Sequence, residues 1–388
     1  MDMSSFICRR VADVPPSGIR KFFDIVQEMD NVISLSVGEP DFPTPWHIRE
    51  SCIYSLEKGV TGYTSNQGTL ELRQALSEYT RADCGVDYNP RDEILVTTGV
   101  SEAIDLAIRA ITNPGDEIIV AEPCYVSYAP TVIFAGGVPV ALETKLENDF
   151  RITKEELEAK ITPKTKAVII NYPNNPTGAV MSKQDMEDIA QVILKHNIIL
   201  ISDEVYDKLT YDGKHTCAAS INGMKDNTIL LNGFSKAYAM TGWRLGYALG
   251  NRDIISTMVK IHQYTMLCAP VMAQVAALDA LKHGQAEMEK MVREYNRRRR
   301  IIVKGLNDCG LDCFEPKGAF YAFPSIANTG LSGEEFARRL LEEQKVAVVP
   351  GTAFGHSGNG FLRCSYATAT DEIVEALERI GTFVGSLK

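Results

Sequence analysis

No apolar run in this sequence is long enough to cross a membrane. The longest uncharged stretch, Ile261 to Leu278, carries His262, two glutamines and Pro270, too much polarity for a span in hydrocarbon. The amino terminus turns polar within three residues and has no apolar signal core, so a reduced, cytoplasmic compartment is expected. Cysteine clustering is also missing. The nine cysteines are scattered, and only Cys309 and Cys313 lie close, with no second pair or histidine cluster beside them. That spacing argues against a structural zinc site and against a disulfide framework. Positive charge is in deficit: the formal net charge is −10, which argues against nucleic acid or an anionic membrane surface as a main partner. The local exception, Arg297 to Arg300, falls within a helical pattern from Glu287 to Leu306 and reads as a solvated helix face. Short-period repeats and low-complexity segments are absent.

What is there describes an ordinary globular protein: 388 residues, 45% hydrophobic and 23% charged, enough for two to three domains and a large core. A helix-like run, Ile19 to Met29, follows the break at Pro15-Pro16-Ser17-Gly18. Gly38-Glu-Pro-Asp-Phe-Pro-Thr-Pro45 holds three prolines in eight residues, so it must be an ordered loop or linker. Helices are expected at Glu50–Lys58, Leu70–Cys84, Ser101–Ile111, Lys154–Ile161 and Lys183–His196. Apolar runs alternate with them at Ile94–Thr97, Glu117–Ala121, Val138–Leu142, Ala167–Asn171, Ile198–Ser202, Thr228–Leu231 and Leu245–Leu249. Continuous apolar runs alternating with helices predict an α/β fold: a large domain whose mainly parallel seven-stranded sheet is covered by helices. Beyond Leu278 long helices give way to short mixed segments, Ala319–Phe323, Val346–Val349 and Phe361–Tyr366, which predict a second, smaller α+β domain. The expected division is 1–47, joined to the small domain, then 48–280 for the large domain and 281–388 for the small one.

In open α/β sheets, ligands bind beyond the carboxyl ends of the strands. After the first run comes Thr98-Gly-Val-Ser-Glu102, a tight turn into a helix start whose free N–H groups suit a phosphate. The second run ends near Tyr125, an aromatic at the rim. The fourth leads into Tyr172-Pro-Asn-Asn-Pro-Thr-Gly178, a constrained loop presenting amides. The fifth is followed by Asp203-Glu-Val-Tyr206, and the sixth by Ser235-Lys236, with Arg244 eight residues on. A deprotonated lysine amine can hold a carbonyl compound as an imine. A flat ring with a phosphate arm, a basic ring nitrogen and an aldehyde uses all five strand ends, and pyridoxal 5'-phosphate meets that description.

With these motifs in hand, the chain resembles a class I aminotransferase of the fold type I pyridoxal-phosphate enzymes. The residues carrying the resemblance are Gly38–Pro45, Tyr63, Gly68 with Glu71-Leu-Arg73, Gly99–Ala103, Asn171–Gly178, Asp203–Tyr206, Ser235-Lys236 with Arg244, and Leu362-Arg-Cys-Ser-Tyr-Ala367. It implies a Schiff base on Lys236, which also shuttles the substrate's α-proton. It implies Asp203 against the ring nitrogen, Asn175 and Tyr206 donating to the phenolic oxygen, and Tyr125 stacked on the ring. The phosphate is expected at Val100, Ser101 and Glu102 at the helix start, with Ser235 and Arg244. Arg363 is expected to fork onto the substrate α-carboxylate, with Gly38 and Asn175 beside it. Tyr63 is expected to reach the phosphate of a neighbouring subunit, which implies a homodimer with shared active sites. One departure stands out: many relatives carry a hydroxyl residue three positions before the lysine, where this chain has Gly233.

The implied activity is a ping-pong transfer of an amino group from an L-amino acid to a 2-oxo acid. Aspartate, alanine and aromatic amino acids are all open as donors. Ser17, Gly18 and Ile19 are expected near the side-chain pocket. A carbon–sulfur β-lyase on the same cofactor is the neighbouring alternative. A non-catalytic cofactor sensor fits poorly, because only about 37 residues precede Gly38 and the charge is wrong for DNA.

Overall fold

The structure is a computed structural model that describes residues 3–16, 18 and 29–387. The helix expected from Ile19 to Met29 falls almost wholly outside these residues. Strand β1 is Ile33–Ser34, and seven further strands build the main sheet: β2 Ile94–Thr97, β3 Glu117–Glu122, β4 Val138–Glu143, β5 Thr165–Asn171, β6 Ile199–Asp203, β7 Thr228–Gly233 and β8 Gly246–Leu249. Their order across the sheet is β2-β8-β7-β6-β5-β3-β4. Only β8 runs against the others, antiparallel to β2 and β7. Except at the edge strand β4, where Val138 is exposed, the strands are largely buried on both faces, and alternate residues enter separate cores. Ile118 and Val120 point into one cluster, while Ile119 and Ala121 point into another. This is the period-two consequence of a pleated strand covered on both sides.

Local chemistry sets the helix limits. Ser182 and Asp185 form a reciprocal cap at the start of helix Lys183–His196, and Thr153 with Glu156 does the same for Lys154–Lys160. Such boxes satisfy two orphan N–H groups at once. Thr69 caps helix Leu70–Cys84, which stops at Gly85 in the left-handed region, φ 74°. Helix Tyr128–Ala135 is an element that the sequence pattern does not predict, and the uncharged Ile261–Leu278 stretch is the end of one helix, Arg252–Thr265, and the start of another, Val271–His283. No helix among the described residues is long and apolar enough to cross a membrane.

Beyond helix Gln285–Asp308 the remaining strands are β9 Tyr321–Ala322, β10 Val346–Ala347, β11 Val349–Pro350 and β12 Leu362–Ser365. β11, β12 and β9 form an antiparallel sheet, and β10 pairs in parallel with β1 from the amino-terminal segment. The arginine run in helix Gln285–Asp308 corrects the expectation of a solvated face. Arg298 and Arg299 are buried. Arg298 makes two 2.9 Å bonds to the Asp41 carboxylate, and Arg299 donates to the Pro316 carbonyl at 2.8 Å and to Asp212 at 3.1 Å. A net-charge reading of the run missed that the helix period turns two of its four arginines inward.

Candidate active site

The carboxyl ends of β2, β3, β5, β6 and β7 converge on a cavity of about 350 Å³. Eleven of the expected site residues line it: Gly38, Val100, Ser101, Tyr125, Asn175, Asp203, Tyr206, Ser235, Lys236, Arg244 and Arg363. Glu102 and Tyr63 do not. The Glu102 carboxylate turns away to the Thr98 N–H and to His262, and Tyr63 is 85% exposed on the outer surface. Ser17 and Ile19 lie outside the described residues. Gly18 sits against Ala353, with a built Cβ 3.4 Å from that of Ala353, and does not line the cavity.

Asp203 ends β6 and is buried. Its Oδ2 accepts from the Tyr128 hydroxyl at 2.7 Å, its Oδ1 from the Val205 N–H at 3.2 Å, and its carbonyl from Asn171 Nδ2 at 2.9 Å. Burial pushes the carboxyl up to about 6, against the opposing pull of the Tyr128 hydroxyl and the Val205 N–H. Asn171 also accepts from the Asn175 N–H at 3.0 Å, so one side chain at the end of β5 fixes both the amide loop and the carboxylate strand.

Lys236 reaches the cavity from the loop after β7 and donates to the Gly38 carbonyl at 2.8 Å. The protein packed around the amine lowers it to about 8; Arg363 and Arg244 add to the fall, and Glu39 and Asp203 oppose it. Arg363 is buried on β12. It donates to Asn175 Oδ1 at 3.0 Å and to the Ser36 carbonyl at 2.6 Å, and its guanidinium lies over the Tyr321 and Phe354 rings at 4.6 and 4.7 Å. Its Nε is buried and has no partner. A buried charged donor left unpaired is costly, and the guanidinium as a whole, which lines the cavity, is suited to an anionic group entering it. Tyr206 and Tyr321 share a hydroxyl–hydroxyl bond of 2.8 Å beside it.

The other end of the cavity is a turn. Gly99 has φ 78°, and a Cβ there would lie 2.5 Å from Arg244 Nη2. Glycine thus lets the backbone of the Thr98–Ser101 turn and the guanidinium face the same point. Gly233 has a similar cause: a Cβ would lie 2.9 Å from Val100 Cγ2 and 3.1 Å from Gly246 Cα. A hydroxyl side chain at that position needs those neighbours to move. Gly38 is also constrained, its would-be Cβ 2.5 Å from Tyr321 Oη.

Three participants escaped the sequence reading. Tyr128 holds Asp203, but it opens a helix that was not anticipated. Tyr321 stacks against Arg363 from a two-residue strand. Arg298 clamps the Gly38–Pro45 loop through Asp41, 257 residues away. The Asp203-Glu-Val-Tyr206 and proline-loop motifs were visible as sequence, while these partners depend on contacts distant along the chain.

The donor set fits pyridoxal phosphate. It offers an amine, a buried carboxylate, an anion-receiving turn beside an arginine, and a second arginine with an unused buried donor. Comparison with known proteins agrees. The family model described as "Aminotransferase class I and II" matches residues 30–380. A putative aminotransferase YugH of Bacillus subtilis (strain 168) is 51% identical over 382 residues, 98% of this chain and 99% of its own. An aromatic-amino-acid aminotransferase 2 of Thermococcus litoralis is 46% identical, with 96% of each chain covered. The aspartate aminotransferase from Thermus thermophilus, solved with maleate, superposes with a TM-score of 0.93 at 39% identity, covering 97% of this chain and 99% of that one.

Proposed function

The chain belongs to the class I and II aminotransferases, pyridoxal-phosphate enzymes that transfer amino groups, and we propose that it works by a ping-pong mechanism. In this reading an L-amino acid, either aspartate, alanine or an aromatic one, gives up its amine in the first half-reaction. A 2-oxo acid collects it in the second, in the same cavity. The observation that carries the reading is that Lys236, Asp203 and Arg363 all open onto one cavity. The named activities of the relatives support aspartate and aromatic donors.

When bound, pyridoxal phosphate supplies an aldehyde that takes up amines and a ring that accepts electrons. The chain's residues do the rest. Arg363, whose guanidinium lines the cavity, binds the substrate α-carboxylate, with Gly38 and Asn175 beside it. Lys236 holds the cofactor and, once released, moves the α-proton; an amine near 8 is available in its neutral form at modest pH. Asp203 would pair with the ring nitrogen and hold it protonated, its own charge favoured by that positive partner. Asn175 and Tyr206 donate to the phenolic oxygen, and Tyr125 packs on the ring face. Val100, Ser101 and the Glu102 N–H, with Ser235 and Arg244, receive the phosphate.

The same reading makes the enzyme a cytoplasmic homodimer in which Tyr63 serves the partner's phosphate. Tyr63 at 85% and Tyr264 at 86% exposure, with exposed Trp46 and Tyr54 nearby in sequence, form apolar surface that a second copy can cover. It also divides the chain at about residues 47 and 280, with the amino-terminal segment joined to the small domain; the β1–β10 pairing supports this. Lys236→Ala is expected to abolish transamination, and borohydride treatment of the wild-type holoenzyme to fix the cofactor on the Lys236 peptide. Wild-type turnover by the alanine variant would refute the reading. A panel of amino donors against 2-oxoglutarate, oxaloacetate and pyruvate identifies the substrate.

A further inference from the structure

The Thr98–Ser101 turn is braced from behind by two side chains that do not line the cavity. Glu102, in the first turn of helix Gly99–Ile111, reaches back so that its Oε2 accepts from the Thr98 N–H at 2.5 Å. Its Oε1 lies 2.7 Å from His262 Nδ1, on helix Arg252–Thr265. His262 is 0% exposed, and its Nε2 has no partner among the described residues. The imidazole's single hydrogen-bonding contact is therefore spent on Glu102.

Two physical demands meet here. Gly99 gives the turn its left-handed residue, φ 78°, but glycine restrains the backbone least of all residues. Something outside the turn must hold its shape. A carboxylate in a first helical turn also competes with phosphate for the same positive helix end. Turning Glu102 toward Thr98 and His262 draws that carboxylate off the face where the phosphate is to bind.

We propose that Glu102 and His262 form a positioning pair for the cofactor's phosphate, holding the turn in the shape that presents Val100 and Ser101 to it. This rests on the reading above that the turn receives the phosphate. The pair acts through the backbone; neither side chain touches the cofactor.

The test titrates apoenzymes with pyridoxal phosphate and, separately, with pyridoxal, which lacks the phosphate. His262→Leu and Glu102→Ala are expected to weaken pyridoxal phosphate binding by roughly tenfold, the equivalent of one lost buried hydrogen bond, and to leave pyridoxal binding within about twofold of wild type. Glu102→Gln accepts from the Thr98 N–H through its amide oxygen, and His262→Asn keeps a donor at the Nδ1 position; both are expected to restore affinity. The double variant Glu102→Ala/His262→Leu is expected to be no worse than either single variant, as for members of one unit. Unchanged affinity in both disrupted variants, or equal loss for pyridoxal and its phosphate, overturns the pair. Should His262→Leu not fold, Glu102→Ala, which leaves the buried histidine site filled, decides the matter by the same two titrations. A wild-type apoenzyme that binds pyridoxal as tightly as its phosphate removes the underlying reading, and the pair with it.

Discussion

Burial acts on Asp203 and Lys236 in one sense: it favours the neutral form of each. For Asp203 the carboxyl rises from 3.8 to about 6. A raised carboxyl penalises the folded apoenzyme wherever the group must ionise. Below pH 4 it is protonated in both folded and unfolded chains, and the penalty is absent. Between pH 4 and 6 the folded state binds more protons than the unfolded one, so stability falls as pH rises, and above pH 6 the penalty is complete. Asp203→Asn removes the charge and keeps one acceptor oxygen, for the Tyr128 hydroxyl, while its Nδ2 replaces the oxygen that accepts from the Val205 N–H. That lost bond is a cost independent of pH, so the apoenzyme variant is expected to gain on wild type between pH 4 and pH 6 by at most roughly 3 kcal/mol. Urea unfolding across that range measures the difference, and a stability gap that does not change between pH 4 and pH 8 would contradict it. In the holoenzyme the same substitution is expected to lower kcat by orders of magnitude, because Asp203 is read as the partner of the ring nitrogen. At the residue scale, stability and function thus pull in opposite directions at position 203.

At the scale of elements, the Gly38–Pro45 loop is held at several points. Lys236 donates to the Gly38 carbonyl at 2.8 Å, Trp243 Nε1 to the Thr44 hydroxyl at 2.9 Å, and Arg298 to both Asp41 oxygens. Arg298→Met keeps much of the buried apolar stem and removes the donors. It is expected to cost roughly 1–3 kcal/mol of stability, as loss of a charge-assisted bond. It is also expected to raise KM for the amino donor more than it lowers kcat, since the loop carries Gly38, which is proposed to lie beside the substrate carboxylate. Steady-state kinetics on both substrates check this; an unchanged KM would show the loop to be held without the arginine. Arg298 also marks where sequence reasoning stops. The interior strands are legible because both faces are buried, which writes a run of apolar residues into each; the edge strand β4 carries such a run although only Leu142 in it is buried. The lysine, aspartate and arginine were legible because each sits in a motif of fixed local spacing. Helix Tyr128–Ala135 was not, since its apolar residues surround it and leave no polar face to set a period. Tyr128, Tyr321 and Arg298 went unread because their roles come from partners 75, 115 and 257 residues away, and local spacing carries no record of such pairings.

At the scale of the whole molecule, the end of the cavity proposed to take the phosphate lacks, among the described residues, the tyrosine that the resemblance leads one to expect, and the chain's own Tyr63 is exposed. The loop carrying it is not loose: Asn66 Nδ2 donates to the Leu267 carbonyl at 2.7 Å, joining it to the segment that bears exposed Tyr264, Met266 and Leu267. In the proposed homodimer two such surfaces pair about a twofold axis and each Tyr63 is expected at the other subunit's cavity, a twofold interface making the exchange reciprocal. Complementation tests this directly. Lys236→Ala lacks the amine but keeps Tyr63, and Tyr63→Leu keeps the amine but lacks the hydroxyl. In a mixed dimer, the cavity with Lys236 is served by the Tyr63 of its alanine-bearing partner and is complete; the other cavity lacks both. Refolding the two variants together in equal amounts makes about half of the dimers mixed, each with one complete site, so the mixture is expected to reach roughly a quarter of wild-type activity. Were Tyr63 to serve its own subunit, no mixed dimer would contain a complete site, and activity would stay at the mean of the two parents. A sedimentation measurement showing a monomer under assay conditions would dispose of the shared site altogether.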